Sequence, residues 1–134
     1  MQQKILRRVS LIFIFLTFSC SSGNDIKKEI IGKWKMTKVK ELSEDVTQRH
    51  NPDKDRWIRF KEDDETFESG KGDTKGNSGK WSYNEKENEL YLDSDAGEDD
   101  DSSWSVTIIK DTMVWKGRKF EFNKRFEIEY SRDE

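Results

Sequence analysis

Ser103-Trp104-Ser105-Val106-Thr107-Ile108-Ile109-Lys110 decides how this chain is read. Trp104, Val106 and Ile108 alternate with Ser105 and Thr107. A period of two sends one set of side chains to a dry face and the other into water, which is a half-buried strand. Aromatic and β-branched residues also suit a pleated surface. Lys110-Asp111 then marks a tight turn, and Thr112-Met113-Val114-Trp115 begins again. Two amphipathic runs joined by so short a link form an antiparallel pair.

The same pattern extends outward in both directions. Strands are expected near 33–42, 56–61, 65–70, 78–84, 88–93, 103–110, 112–122 and 125–132. Ile58/Phe60, Trp81/Tyr83, Leu90/Leu92 and Phe126/Ile128/Tyr130 all alternate with polar residues. Asn84 to Asn88 separates two of the strands. Before the last strand the turn falls either at Gly117-Arg118 or at Asn123-Lys124, with Gly117 then a bulge. Either choice leaves eight. Ile26 to Ile31 makes one helical turn ahead of the first strand, and no later stretch sustains a helical period. The expected fold class is all-β: an eight-stranded antiparallel up-and-down barrel, in which closure removes exposed edges. A sandwich of the same strands is the runner-up. The long connection 43–55 is expected across one barrel mouth.

Composition limits the function classes. The chain has 134 residues, of which 31% are hydrophobic and 40% charged. So little apolar material would ordinarily argue against a core. Beyond residue 19, however, 13 of the 31 apolar residues are aromatic, and each large ring buries about 150–250 Å². Residues 1–19 carry three basic residues and no acidic ones, so the remainder holds 22 basic against 28 acidic residues, a net charge of −6. That balance offers no electrostatic footprint for nucleic acid.

The N-terminus points to a compartment. Lys4, Arg7 and Arg8 form a positive region, and Leu11 to Leu16 an apolar run far too short to span a bilayer. Thr17-Phe18-Ser19-Cys20 follows. Cys20 is the sole cysteine, so no disulfide within the chain is possible. The segment resembles the lipobox of bacterial lipoproteins, with Ser19 as the small residue before Cys and with Thr17 where leucine is commonest. The division expected is 1–19 signal peptide, 20–25 lipidated Cys20 and polar tether, and 26–134 one domain. Lipidation would hold the protein on the outer membrane, on its periplasmic or surface face. The competing reading is an ordinary signal peptide cleaved nearby, leaving a free thiol.

At Ile31-Gly32-Lys33-Trp34 a further resemblance enters. Gly-x-Trp opening the first strand behind a helical turn is similar to lipocalins and related calycin barrels. Trp57-Ile58-Arg59-Phe60, Asp64-Glu65-Thr66-Phe67, Gly79-Lys80-Trp81-Ser82-Tyr83, Leu90-Tyr91-Leu92 and Asp111-Thr112-Met113-Val114-Trp115 follow in order. Across 26–132 the chain resembles the small lipocalin-like domains of bacterial lipoproteins. That resemblance implies an eight-stranded barrel and, for many members, no established ligand. It also implies a basic side chain from the last strand over the Gly-x-Trp indole. Inward parity of Phe126, Ile128 and Tyr130 makes Arg132 that residue and leaves Arg125 second, so Gly32, Trp34 and Arg132 are the expected closure of the barrel.

Candidate chemistry is sparse. Residues 93–101 hold six carboxylates, with Asp93, Asp95 and Asp99 as weak calcium candidates, but the EF-hand order fails and a solvated loop accounts for them. Residues 70–80 are glycine-rich yet match no phosphate loop, and read as a flexible hairpin. His50 is the only histidine, and one cannot make a zinc site or triad without partners. No enzyme, metal or cofactor is expected. Phe60, Phe67, Trp81, Tyr83, Trp104, Trp115 and Phe122 either line an apolar pocket or fill the interior. The leading expectation is a monomeric, lipid-anchored module binding a small apolar or amphipathic molecule at the mouth. The alternative is a filled barrel that binds or inhibits a protein through Lys71, Lys75 and the acidic loop.

Overall fold

The computed structural model describes residues 25–133. The signal segment and Cys20 lie outside the described residues. A helical turn, α1 (Ile26–Glu29), leads into β1 (Gly32–Glu41). Then come β2 (Glu44–Asp45), α2 (Thr47–His50), β3 (Arg56–Phe60), β4 (Thr66–Lys71), β5 (Thr74–Asn84), β6 (Glu89–Ser94), β7 (Ser102–Ile109) and β8 (Thr112–Gly117). Another helical turn, α3 (Glu121–Lys124), precedes β9 (Phe126–Arg132). Each long strand pairs antiparallel with its neighbour in order, and β9 returns to β1, so eight strands close an up-and-down barrel with β2 as a short appendage.

Closure rests on the β1–β9 seam, where Trp34 faces Arg132 and Met36 faces Tyr130. A bulge lies between Met36 and Lys38, and the Thr37 hydroxyl donates to the Glu129 carbonyl at 3.0 Å. The bulge shifts parity by one, so that Val39, rather than Lys38 or Lys40, is buried opposite Ile128.

The two ends of the barrel differ. At the α1 end Ile30 plugs the interior, and Trp34, Phe60, Leu90 and Met113 are buried almost completely around it. Gly32 takes φ +118° as the chain turns from α1 into β1, a conformation that favours glycine. At the other end stand α3 and the β4–β5 and β6–β7 connections.

The structure corrects two expectations. Residues 70–80 are paired strand over most of their length, with the hairpin turn reduced to Gly72-Asp73. Gly, Asn, Ser and Lys look like loop by propensity, but β4 and β5 supply each other's backbone partners, and the Trp57 ring leaves no room for a side chain at Gly70. The seventh barrel strand stops at Gly117 rather than 122, and 118–125 folds as a turn and α3. The connection 43–55 lies at the α3 end, with Val46 in the core and His50 against the Phe126 ring. It forms β2 and α2 along the β1 edge that β3 leaves free beyond Lys35. Asn51, buried there, donates to the Met36 carbonyl at 2.9 Å and accepts from the Arg56 amide at 3.2 Å, which ties the connection down.

Candidate functional site

The inward aromatics divide between a packed half and a hollow half. Phe60 and Trp81 belong to the packed half, with ring centroids 5.7 Å apart and edge to face. Trp81 donates its indole N–H to the Lys61 carbonyl at 3.1 Å. Tyr83 lies at the same end, its hydroxyl 2.9 Å from Asn88 Oδ1. None of these three lines the hollow.

Above them a cavity of about 480 Å³ opens toward the α3 end. Phe67, Leu92, Trp104, Trp115, Ile128 and Tyr130 form its apolar wall. Trp115 is the centre of that wall, with its ring 5.4 Å from Trp104 and 4.7 Å from Tyr130. Burial raises the Tyr130 hydroxyl far above its ordinary pKa, only weakly opposed by the Arg56 charge. The rim is polar, with Arg56, Lys71, Asn77 and Asp100. Larger in volume but more open is a surface hollow of about 650 Å³ beside α1, lined by Asp25, Lys27, Tyr83 and Glu85. Its rim carries Asp25, Lys27, Glu85 and Lys86, and Tyr83 is its one aromatic ring.

Phe122 reaches the cavity by a different route from the one expected. It sits on α3, is 65% exposed and stacks on Phe126 at 5.4 Å. Its neighbour Asn123 is the residue that sequence reasoning missed. Asn123 is 1% exposed and lines the cavity, and among the described residues neither of its amide atoms has a hydrogen-bond partner. The Trp115 indole N–H is unpartnered in the same sense. Gly117 explains how Asn123 comes to be there: a methyl group at Gly117 would overlap the Asn123 carbonyl, so only glycine lets α3 pack this closely. The glycine was visible in the sequence, but nothing in Phe-Asn-Lys announced burial.

The Gly-x-Trp corner is built as a clamp. Arg132 stacks over the Trp34 ring, its guanidinium carbon 4.2 Å from the centroid. It also donates to the carbonyls of Glu29 at 2.7 Å and Ile31 at 3.2 Å. Trp34 in turn donates to the Ile30 carbonyl at 2.8 Å. Arg125 instead stands 3.7 Å from Glu41 at the opposite end.

The remaining candidates do not converge. Among the described residues no three acidic or histidine side chains group as metal ligands. Asp95 accepts from the Ser78 hydroxyl at 2.8 Å, and Asp101 accepts from the Ser94 amide at 2.8 Å and the Tyr91 hydroxyl at 3.0 Å. Asp93 and Asp99 are exposed. Lys71 pairs with Asp53 at 2.9 Å and Lys75 with Glu68 at 2.8 Å, so both ammonium groups already have anionic partners. His50 packs edge-on against Phe126. Among the described residues no helix is long and apolar enough to cross a membrane.

Comparison with known proteins agrees with this architecture. A crystal structure of a DUF4847 family protein from Bacteroides vulgatus superposes with a TM-score of 0.57 at 13% identity, covering 81% of this chain and 97% of that one. At that identity the likeness concerns the fold alone. No curated protein matches the chain. The lipocalin-like domain family matches residues 30–115, which run from the Gly-x-Trp corner through Trp115 of the cavity wall. The chain belongs to the lipocalin-like domain family.

Proposed function

We propose that this protein is a lipid-anchored envelope lipoprotein that holds one small apolar or amphipathic molecule in the hollow half of its barrel. The cavity carries the reading. Its volume of about 480 Å³ falls within the roughly 300–1,000 Å³ of small-molecule sites, and an aromatic wall under a polar rim is their usual make-up. A filled barrel acting through its loops is the rival reading, and the cavity counts against it. The reading assigns no catalysis.

Anchoring rests on the basic and apolar segments before Cys20. Asp25 and α1 lie at the packed end, opposite the cavity mouth. The protein acts as a monomer on the outer membrane.

Solvent extraction of the purified full chain followed by mass spectrometry is expected to release one class of small molecule at near-stoichiometric yield. Recovery of nothing beyond the protein's own acyl groups would overturn the binding reading. Cys20→Ala is expected to move the protein from the membrane fraction to the soluble fraction, and unchanged membrane association would overturn the anchor.

A further inference from the structure

Arg56, Ile58 and Phe60 take alternate positions on β3, and Ile58 and Phe60 are buried, so Arg56 holds the inward position at the mouth. Across the β3–β4 pair it faces Lys71, which is in step with the inward Phe67 and Ser69 of β4. The last β1–β3 pair is Lys35–Trp57, and beyond it Asn51 joins the Met36 carbonyl to the Arg56 amide. Met36 in turn faces Tyr130 on β9. Lys71, Arg56, Met36 and Tyr130 therefore stand at one level around the cavity, and all four line it.

The polar groups at that level differ in what already engages them. Lys71 pairs with Asp53 at 2.9 Å. Among the described residues the Arg56 guanidinium has neither an ion-pair nor a hydrogen-bond partner; only its backbone amide is held, by Asn51. The Tyr130 hydroxyl has no partner among the described residues either, although Tyr130 is only 4% exposed. Unlike the Trp115 indole N–H, that hydroxyl is open to water, and for so buried a residue this is the water of the cavity. The Arg56 charge reaches it and weakly opposes the effect of burial on its ionisation. A guanidinium only donates hydrogen bonds, and a phenol beside it can donate as well, so the two call for an acceptor, and the charge favours an anionic one. Asp100 is the carboxylate of the rim, and its Oδ2 already accepts from Asn77 at 2.6 Å and from Ser94 at 2.8 Å, on the side of β5 and β6.

We propose that the cavity is selective for single-chain anionic amphiphiles, with the head group between the Arg56 guanidinium and the Tyr130 hydroxyl and the chain against Phe67, Trp104 and Trp115. This rests on the binding reading above and adds the sign of the ligand's charge. Arg56 is exposed to water at the rim, so its contribution is screened and falls at the low end for a hydrogen bond to a charged group. The net negative charge of the chain works the other way. A preference for anions therefore has to come from the site itself.

The test uses the full chain in phosphatidylcholine nanodiscs, with empty nanodiscs as the partition control. Tryptophan fluorescence is titrated at pH 8 with three probes of equal chain length: octanoate, methyl octanoate and octylammonium. Octanoate is expected to bind about tenfold more tightly than methyl octanoate, the difference one charge-assisted hydrogen bond makes. Octylammonium is expected to bind most weakly. Arg56→Gln, at an exposed position, is expected to lower octanoate to the affinity of methyl octanoate and to leave methyl octanoate unchanged. Tyr130→Phe is expected to weaken octanoate several-fold, through the lost hydroxyl. Equal affinity for octanoate and methyl octanoate in the wild type would overturn the anionic assignment alone. So would an undiminished preference in Arg56→Gln, octanoate binding unaltered in Tyr130→Phe, or octylammonium binding as tightly as octanoate. Failure of all three probes to bind would overturn the binding reading as well.

Discussion

Arg132 and Trp34 stand directly opposite each other across the seam where the last strand meets the first, guanidinium over indole at 4.2 Å. The same guanidinium ties down the carbonyls of Glu29 and Ile31, and the same indole ties down that of Ile30. One pair thus closes the barrel and seats the helical turn that plugs it.

Arg132→Ala removes the stacking and two charge-assisted hydrogen bonds together. The expected cost is about 2 kcal/mol in urea unfolding, since a cation over an indole contributes roughly 0.5–2 kcal/mol and the side chain is three-quarters buried. Arg132→Lys should recover less than half of that, because a lysine cannot reach both carbonyls while stacking. An unfolding midpoint unchanged in Arg132→Ala would refute the clamp.

Gly117→Ala should act on the mouth and spare the packed end. The new methyl group would meet the Asn123 carbonyl, and backbone does not yield as a side-chain tip would. Overpacking of this kind costs about 1–3 kcal/mol. Hydrogen exchange should rise in 118–125 while the amides around Trp34 stay protected. Uniform loss of protection would mean that α3 and the packed end unfold as one unit.

Acid stability should depend on Glu68 and Glu89. Lys75 first, then Arg59 and Lys61, hold the Glu68 carboxyl below its usual pKa, and Lys119 does the same for Glu89. A carboxylate with a lowered folded-state pKa contributes stability above its unfolded value. That contribution is lost as pH falls through the folded value, so the window opens near the ordinary 4.5 and extends below it. Urea midpoints measured from pH 6 to pH 3 should fall less steeply in Glu68→Gln/Glu89→Gln than in the wild type. Parallel curves would count against both ion-pair sites.

Alkaline stability should depend on Tyr130. Burial raises its pKa far above the ordinary 10, so the unfolded chain ionises this hydroxyl in a range where the folded chain does not. Its contribution is complete below pH 10 and declines above it. Tyr130→Phe should flatten the fall in stability between pH 10 and 11.5. Ultraviolet titration of the folded wild type should show two tyrosines, Tyr83 and Tyr91, ionising before the third.

The strands and their inward faces were legible from residues alone, because alternation is a local property, whereas the same alternation fits a sandwich as well as a closed barrel. Trp104/Val106/Ile108 and Phe126/Ile128/Tyr130 report their faces through spacing of two, and that parity chose Arg132 over Arg125 once the resemblance to lipocalins implied a basic side chain over Trp34. Local pattern does not carry the distances between strands remote in the chain. Whether inward rings pack edge to face, as Phe60 and Trp81 do, or line an open space, as Trp104, Trp115 and Tyr130 do, is decided by those distances. The polar stretch 70–80 became strand because neighbouring backbones satisfied one another, overriding weak propensity. Asn123 is buried for an equally non-local reason: the missing side chain of Gly117, six residues earlier, makes room for a polar turn that by itself reads as solvent-exposed.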